Sequence, residues 1–542
     1  MREPETDPAQ SETRRTRGTP SHGTWEVPRA PGGESASGRS GKADGRTPDT
    51  NARGKSDDRV VPQKPANEGP HLGPEESVEG RRSAKGNAEQ DAAPRTQSRT
   101  GASIGLQGVR EAARRDRRAR FTALLHHVTV EWLRESFYSL KRAAAPGVDG
   151  VTWQEYEERL DERLADLHQR VHRGSYRAQP SRRTYIPKAD GRQRPLGVAA
   201  LEDKIVQHAV GVLLSAIYEE DFLGFSYGFR PGRGQHDALD ALWVGIMRKK
   251  VGWVLDADIR GFFDTLDHGW LMKFLEHRIA DRRVLRLIRK WLRAGVLEDG
   301  RWSETTLGVP QGSVISPLLA NVYLHYVFDQ WVAAWRRKEA TGDVIVVRYA
   351  DDFVLGFERR EEAERFLRDL RVRLGRFGLE LHSEKTRLVE FGRFATERRQ
   401  ARGEGRHPET FDFLGFTHYC GKTRRGKFLL HRKSMAKRFR ATLKAVKDRL
   451  RANRHWPIRE QGAWLRRVVQ GWLNYHAVPG NSKRLGQFIT EVARHWIRAL
   501  RRRGQRHRLP WARFNRIAAA WLPHPRVLHP WPNVRFDAKH PR

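Results

Sequence analysis

Two adjacent carboxylates lie between two apolar segments, and they are the residues of this chain with the clearest potential for chemistry. Asp351 and Asp352 follow the β-branched run 344–347 and precede the apolar run 353–357, a pattern that predicts a tight β-hairpin with both acids at its tip. Holding two like charges together between buried arms is costly unless a cation neutralises them. Carboxylate oxygens are hard ligands, so a pair of Mg²⁺ ions is the natural candidate, and an ordinary surface turn is the alternative.

A third candidate acid stands at the end of a separate apolar segment. Residues 251–255 predict a buried strand, and because side chains alternate along a strand, Asp256 and Asp258 point to one face. A carboxylate at the end of an apolar strand occupies a position where α/β enzymes commonly place catalytic groups. The alternative is a helix N-cap, which suits Asp264 or Asp267 well and Asp258 poorly.

Between these acids lie segments that could contact a charged ligand. Lys188 and Arg194 lie on the two arms of a hairpin predicted to turn at Asp190-Gly191, and they could close on a phosphate as a point charge and a fork. A solvated basic hairpin is the alternative. The glycines of the loop 226–233 allow close approach of the backbone to a ligand, although an ordinary loop would share this composition.

Gln311 is held on a bent backbone between Pro310 and Gly312, at the head of a strongly apolar helix that follows.

The composition indicates a polyanionic partner. The 542 residues include 102 Lys and Arg against 65 Asp and Glu, a formal net charge of +37, which favours nucleic acid over a membrane surface. Cys420 is the only cysteine, so the chain has no intrachain disulfide or cysteine-rich zinc site, and a reducing compartment fits. Because no apolar run approaches the ~20 residues of a membrane span and no secretory signal is present, we expect a cytoplasmic, nucleoid-associated protein without a membrane partner.

Composition and periodicity divide the chain into five segments. The first is polar and basic with one aromatic residue, and we predict that it is disordered. The second has helical patterning and a capping box from Thr152 to Glu155. The third mixes strands and helices, the fourth is basic and helical, and the last is a short basic tail. The segments span residues 1–104, 105–180, 181–420, 421–525 and 526–542.

The basic charge is concentrated at the C-terminal end. Residues 422–542 carry 32 Lys and Arg against four acids, and thus +28 of the whole +37. This excess predicts a basic surface, because unpaired cations cannot form a core. The interleaved aromatic residues, which include Trp472 and Tyr475, could stack on bases, but core packing is favoured for any single tryptophan.

Taken together, these segments resemble the reverse transcriptase and maturase proteins encoded within bacterial group II introns, over residues 110–542 and in the family's order. Tyr349-Ala-Asp-Asp352 resembles the polymerase active-site box, and Asp258-Ile-Arg-Gly-Phe-Phe263 resembles the box with the first catalytic aspartate. Each motif is weak alone, whereas all of them in order are highly specific. The other matching motifs are Ile186-Pro-Lys188, Arg194-Pro-Leu-Gly197, Ser226-Tyr-Gly-Phe-Arg-Pro-Gly-Arg233, Leu307-Gly-Val-Pro-Gln-Gly-Ser313, Lys385-Thr386, Phe413-Leu-Gly-Phe416 and Gly471-Trp-Leu-Asn-Tyr475.

The resemblance implies an α+β fold of the right-hand polymerase type. Residues 181–420 would form the fingers and palm with an antiparallel sheet, and 105–180 a helical extension of the fingers. Residues 421–525 would form a helical thumb, the maturase domain X. With one cysteine in the sequence, we expect the subgroup that lacks the C-terminal HNH endonuclease domain.

The resemblance also implies the roles of individual residues. Asp258, Asp351 and Asp352 would be catalytic and bind two Mg²⁺ ions, with the backbone carbonyl of Ile259 as a further ligand. Lys188, Arg194, Phe263, Gln311 and Lys385 would bind the nucleotide. The ring of Phe263 would exclude a 2′-hydroxyl, and Lys385 would protonate pyrophosphate. The residues expected to contact nucleic acid are Arg230, Arg233, Trp472 and Tyr475, together with Arg501, Arg502 and Arg503 of the basic C-terminal segment.

The implied function is that of an RNA-directed DNA polymerase that copies intron RNA by two-metal nucleotidyl transfer and assists intron splicing. Its partners would be group II intron RNA, an RNA template with a DNA primer, target DNA and deoxynucleoside triphosphates, and a homodimer is left open. One alternative is a splicing-only maturase, against which the complete set of three acids argues. Another is a related reverse transcriptase that acts in DNA repair. An RNA-dependent RNA polymerase is disfavoured by Phe263.

Overall fold

The structure is a computed structural model that describes residues 95–187, 193–405, 407–504 and 509–540, with side chains from residue 105 onward. Lys188 and the Asp190-Gly191 turn lie outside the described residues, as does most of the segment predicted to be disordered. The first helix begins at Arg95, so the prediction that this segment extends to residue 104 without regular structure is wrong at its C-terminal end.

The N-terminal part of the described chain is helical, as predicted for residues 105–180. The capping box is present, because Thr152 Oγ1 accepts from the Glu155 amide and the Glu155 carboxylate accepts from the Thr152 amide. Gly174, with φ +84°, ends the last of these helices. The elements are α1 (Arg95–Arg115), a 3₁₀ turn (Leu125–His127), α2 (Val130–Tyr138), α3 (Trp153–Glu157) and α4 (Leu160–Arg173).

A four-stranded sheet, which we call the fingers sheet, follows in the described part of the chain. The predicted hairpin is present, with Arg182 opposite Val198 and Pro187 opposite Gln193 in antiparallel register. A later strand joins the first one in parallel. The strands are β1 (Ser181–Pro187), β2 (Gln193–Val198), β4 (Val296–Glu298) and β5 (Arg301–Ser303), in the order β2-β1-β4-β5, and the long buried helix α5 (Leu201–Asp221) follows β2.

A second four-stranded sheet, the palm sheet, is wholly antiparallel. Its strands are β3 (Trp253–Asp258), β6 (Val344–Tyr349), β7 (Asp352–Phe357) and β8 (Arg387–Glu390), in the order β6-β7-β3-β8. Phe353 and Leu355 pack into one apolar cluster, whereas Val354 packs into another on the opposite face. Because both faces of the sheet are buried at β7, the sequence of this strand is a continuous apolar run and does not alternate between apolar and polar residues.

Helices cover the palm sheet on both sides. Asp267 caps one of them, accepting from the Trp270 amide, which confirms the N-cap expected of that residue. The helical elements of this part of the chain are α6 (Gln235–Arg248), α7 (Phe262–Thr265), α8 (His268–Glu276), α9 (Arg282–Arg293), α10 (Ser316–Leu324), a π-helical turn (His325–Asp329), α11 (Gln330–Lys338), α12 (Arg360–Gly375) and α13 (Ala395–Ala401).

The C-terminal region has its own sheet and its own core. A three-stranded antiparallel sheet packs against the apolar cluster that contains Val354 of the palm sheet. The C-terminal helices enclose a separate apolar cluster, here called the third cluster, that contains Trp472 and Trp496. None of the helices in the described ranges combines the length and apolar character needed to cross a membrane. The elements are β9 (Phe411–Phe413), β10 (Phe416–Lys422), β11 (Phe428–Ser434), α14 (Ala436–Ala452), α15 (Ile458–His476), α16 (Ser482–Arg501), α17 (Trp511–Trp521) and α18 (Pro532–Lys539).

The described elements confirm the α+β class. The tail predicted over 526–542 contains a helix, α18, which packs on α6 through ion pairs from Arg535 to Asp240 and from Lys539 to Asp237.

His418, on β10, predicts a dependence of stability on pH. The ring is 0% exposed and stacks on Phe411, and burial lowers its pKa from 6.5 to about 3. The unfolded chain therefore binds a proton that the folded chain does not, and stability falls as the pH decreases from about 6.5 towards 3. We expect His418→Phe to reduce this loss by up to about 1.4 kcal/mol per pH unit, measured by urea denaturation at pH 7.5, 6 and 5. A stability difference between the variant and the parent that is the same at all three pH values would contradict this assignment.

Candidate active site

The predicted hairpin carries its two acids at the tip, as the sequence indicated. Tyr349 pairs with Asp352 across β6 and β7, so that Ala350 and Asp351 form a two-residue turn. Ala350 has a φ of +56°, in the left-handed region that a non-glycine residue enters only at a cost. Asp351 is half-buried, and Asp352 is exposed. The turn therefore presents both carboxylates at the end of an otherwise buried strand pair.

The third predicted acid lies beside them. Asp258 is the last residue of β3 and is the direct antiparallel partner of Asp352 on β7. Directly opposed residues of antiparallel strands have Cβ atoms about 4.5–5.5 Å apart, with both side chains on one face. The fold thus brings Asp258 to a pair of acids that follows it by more than ninety positions in the sequence.

Two basic residues form ion pairs with the acidic residues of β3. Lys385 Nζ forms an ion pair with Asp258 Oδ2, and Arg387 Nη2 lies 3.7 Å from Asp256 Oδ2. Burial raises the pKa of Asp256 to about 7 against the opposing charge of Arg387, and the negative charge of Asp258 adds to the increase. Lys385, which the family resemblance assigns to the nucleotide, thus contacts one of the predicted catalytic acids in this structure.

The donor atoms are compatible with a divalent metal, although they do not already enclose one. Within the described ranges, no group of three or more His, Cys, Asp or Glu side chains is close enough to hold an ion. The residues at the tip are nevertheless all carboxylates, which are hard oxygen donors, and the Lys385 ammonium already occupies a cationic position against Asp258. The chemistry of the three acids therefore fits hard divalent ions such as Mg²⁺.

The loop around Gln311 connects the segments that were predicted to bind nucleotide. The amide of Gly197, which lies in the same strand as Arg194, donates to the Gln311 carbonyl over 2.7 Å. On the other side, the Val309 amide donates to the Phe263 carbonyl over 2.7 Å. The predicted nucleotide residues Arg194, Gln311 and Phe263 are thus carried by segments that contact one another.

Gly228 is a neighbour of the candidate site that the sequence analysis did not single out. A Cβ atom on it would lie 2.2 Å from the amide nitrogen of Ala350, so the loop 226–233 packs directly on the turn that carries Asp351. The abundance of glycine in this loop was the available signal, but the sequence alone does not show which backbone a glycine approaches.

Several residues predicted to contact nucleic acid have structural roles instead. Arg230 is buried, pairs with Glu219 and donates to two carbonyls of its own loop. Trp472 is 3% exposed and stacks on Phe488 in the third cluster. The prediction is therefore wrong for Arg230 and Trp472, because neither side chain reaches the surface.

The remaining predicted nucleic-acid residues divide into two groups. Tyr475 donates to the Leu414 carbonyl, and Arg233 donates to the Gly224 carbonyl, so that both side chains take part in packing. Arg501 and Arg502 are exposed, whereas Arg503 is half-buried and donates to a backbone carbonyl. Their contacts with nucleic acid stay a prediction.

The packing of Gly228 against the turn leads to a prediction. We expect Gly228→Ala to displace the tip and to lower DNA synthesis by about ten- to a hundredfold, because misplacement of reacting groups by about 1 Å can cost a hundredfold. Primer extension and thermal denaturation would be measured together, and the protein should stay folded with a lower Tm. Gly224→Ala is the matched control, since a Cβ there meets nothing within 4 Å. Full activity of Gly228→Ala would show that the loop does not position the turn.

Comparison with known proteins agrees with this geometry. The family described as "Reverse transcriptase (RNA-dependent DNA polymerase)" matches residues 186–418. Protein YkfC of Escherichia coli (strain K12) is 36% identical over 306 residues, which cover 50% of this chain and 80% of that protein. The group II intron-encoded protein LtrA of Lactococcus lactis subsp. cremoris is 38% identical over 208 residues, 38% of this chain and 33% of that protein.

A more distant relative is the protein named "Nuclear intron maturase 4, mitochondrial" of Arabidopsis thaliana. It is 28% identical over 141 residues, which cover 26% of this chain and 17% of that protein. The chain thus spans a third or less of the length of the two relatives named for introns. The region matched by the family model contains Asp258, the paired acids Asp351 and Asp352, and the loop of Gln311. The chain therefore belongs to the group II intron reverse transcriptase/maturase family of RNA-directed DNA polymerases.

Proposed function

We propose that this chain copies group II intron RNA into DNA, with two Mg²⁺ ions held by Asp258, Asp351 and Asp352. The observation that carries the proposal is the direct pairing of Asp258 with Asp352, beside the turn that presents Asp351. Three carboxylates at the exposed end of a buried sheet form a site of high negative charge, which suits divalent cations.

The acids would act as ligands, together with the backbone carbonyl of Ile259. Divalent ions held by these residues would supply Lewis-acid chemistry, favouring deprotonation of a primer 3′-hydroxyl and offsetting the charge of the pyrophosphate leaving group. Lys385 Nζ, which already pairs with Asp258, is in this proposal the group that gives a proton to the pyrophosphate.

The neighbouring segments would bind the incoming nucleotide. Arg194 would neutralise triphosphate charge, together with Lys188, and Gln311 would contact the nucleotide from the opposite side. Phe263, half-buried and next to the Gln311 loop, would lie under the sugar, where its ring leaves no space for a 2′-hydroxyl. The substrates would therefore be deoxynucleoside triphosphates.

We also infer partners and a compartment. A DNA primer, which target DNA could provide, would be extended on the RNA template. With a single cysteine, the chain is suited to a reducing compartment such as the cytoplasm, near the nucleoid.

The proposal predicts that catalysis and RNA binding can be separated at the turn. Asp351→Ala should lower primer extension on an RNA template by more than about a hundredfold, because a metal ligand contributes several kcal/mol of charge stabilisation. Binding of the same RNA, measured by filter retention, should remain close to that of the parent, since the basic helices lie elsewhere. The control is Asp161→Ala, which removes an exposed carboxylate on α4. Normal extension by Asp351→Ala would contradict the assignment of the active site.

A second activity, assistance to splicing, is supported by one face of α14. Phe439, Leu443 and Val446 are buried in the third cluster, whereas the opposite face is exposed and basic. Its cations recur at intervals of three and four residues, so that they form one row along the helix. Such a row could bind successive phosphates of a folded RNA. The row consists of Lys437, Arg440, Lys444, Lys447 and Arg451.

We therefore expect the triple variant Lys437→Gln/Arg440→Gln/Lys444→Gln to bind intron RNA more weakly. The slope of log affinity against log salt should become shallower by about 0.7–0.9 for each phosphate that the variant no longer neutralises. Splicing should fall more than extension of a pre-annealed primer at saturating template. This face is a cleaner probe than Arg501 and Arg503, which also donate to backbone carbonyls.

The charge-matched control neutralises three cations that form surface ion pairs outside α14. Arg159→Gln/Arg289→Gln/Arg360→Gln removes the same charge and should leave the salt slope unchanged. Equal affinity and slope in the α14 variant and the parent would show that this face does not bind the RNA. Splicing assistance would then lack support from this surface.

A further inference from the structure

The guanidinium of Arg348 is a buried charge that the mechanism above does not use. It belongs to β6, immediately before the catalytic turn, and its side chain is 0% exposed, as is that of its partner Asp329. A charged pair out of contact with water is costly, and an apolar pair of similar volume is often equally stable. Stability alone therefore does not explain why a charged pair occupies this position.

Every N–H group of this guanidinium has an acceptor. Nε donates to Asp329 Oδ1 over 2.7 Å, and Nη2 donates to Asp329 Oδ2 over 2.6 Å and to Ser226 Oγ over 2.7 Å. Nη1 donates to Asn321 Oδ1 over 3.1 Å and to the Ala350 carbonyl over 3.0 Å. Because arginine has five N–H donors in a fixed fork, these five hydrogen bonds determine its position completely.

The hydrogen-bond network of Arg348 connects the catalytic turn to the neighbouring loop 226–233. Asn321 also donates to the Gly228 carbonyl over 2.7 Å, and Gly228 packs on the Ala350 amide. The backbone of Arg348 bonds to the same loop, with its carbonyl accepting from Tyr227 and its amide donating to Phe225. The carbonyl of Ala350 and its neighbouring loop are thus attached to one buried group.

The elements that supply the partners are arranged for this network. Asn321 lies on α10, and Asp329 is the last residue of the π-helical turn that separates α10 from α11. Such turns frequently occur at functional sites, since they change the direction of the side chains that follow. A residue at positive φ such as Ala350 persists only where its surroundings hold it.

We propose that Arg348 is a positioning residue for the catalytic turn. By holding the Ala350 carbonyl, it fixes the strained conformation that aims the carboxylates of Asp351 and Asp352. Asp329, Asn321 and Ser226 hold the guanidinium in place. This inference rests on the proposed function, because the turn needs positioning only if its acids act together.

The test replaces the buried pair in the full-length protein. Arg348→Met/Asp329→Leu removes both charges at similar volume, and we expect the folded state to be retained. In the metal-free protein, hydrogen–deuterium exchange of residues 344–357 should increase by about 10- to 100-fold, as expected when a hydrogen bond to a charged group is removed. Exchange of β8 in the same sheet should stay unchanged. In extension assays, kcat should fall and half-saturating Mg²⁺ should rise, each by about tenfold.

A second variant keeps the proposal testable if the double variant does not fold. Arg348→Lys retains the charge next to Asp329 but has no fork to reach Ala350, Asn321 and Ser226 together. It should show the same local increase in exchange and the same change in Mg²⁺ dependence. The matched control is Arg278→Met/Asp221→Leu, which removes a buried pair that is 3% and 9% exposed and lies outside the hydrogen-bond network of the turn.

The outcomes separate the two hypotheses. Exchange of 344–357 and Mg²⁺ dependence equal to those of the parent, in whichever Arg348 variant folds, would overturn the positioning role. A parent protein that does not extend primers would overturn the proposed function instead, while exchange in the metal-free variants would still report on the anchoring of the turn.

Discussion

The constraint on which this structure depends is the repulsion between carboxylates that are held together at the end of the palm sheet. Asp258 and Asp352 are direct partners on adjacent strands, and Asp351 adjoins them in the turn. Like charges on directly paired and adjacent residues repel each other, and rigid surroundings and nearby cations oppose that repulsion. The palm sheet provides the rigidity, because apolar clusters bury both of its faces. Lys385 provides a cation against Asp258.

The features that the sequence predicted well are those encoded over a few neighbouring residues. The hairpin of Asp351 and Asp352 follows from two apolar runs and a short polar interruption, and the strand that ends at Asp258 follows from its apolar run. The capping box at Thr152 depends on a spacing of three residues. In each case the physical cause lies within one segment, so no tertiary information was required.

The features that the sequence did not predict depend on contacts between distant segments. Arg230 and Trp472 are residue types that occur both on nucleic-acid surfaces and inside proteins, and only the tertiary fold shows that they are buried here. The burial of Arg348 had a local signal, an arginine inside an apolar strand, but its partners lie on a helix, a π-helical turn and a loop. The close approach of Gly228 to the turn is of the same kind.

The docking of α18 has a consequence for the order in which the protein can form during synthesis. Asp240 on α6 pairs with Arg535, which follows it by 295 positions. At about 5–20 residues per second, a ribosome needs roughly 15–60 s to reach Arg535 after Asp240. During that interval α6 lacks its C-terminal neighbour, and Arg432 is the partner that Asp240 can reach before Arg535 is made. Because α6 also packs on β6, the surroundings of the palm sheet are completed only when the last helix of the described chain has been synthesised.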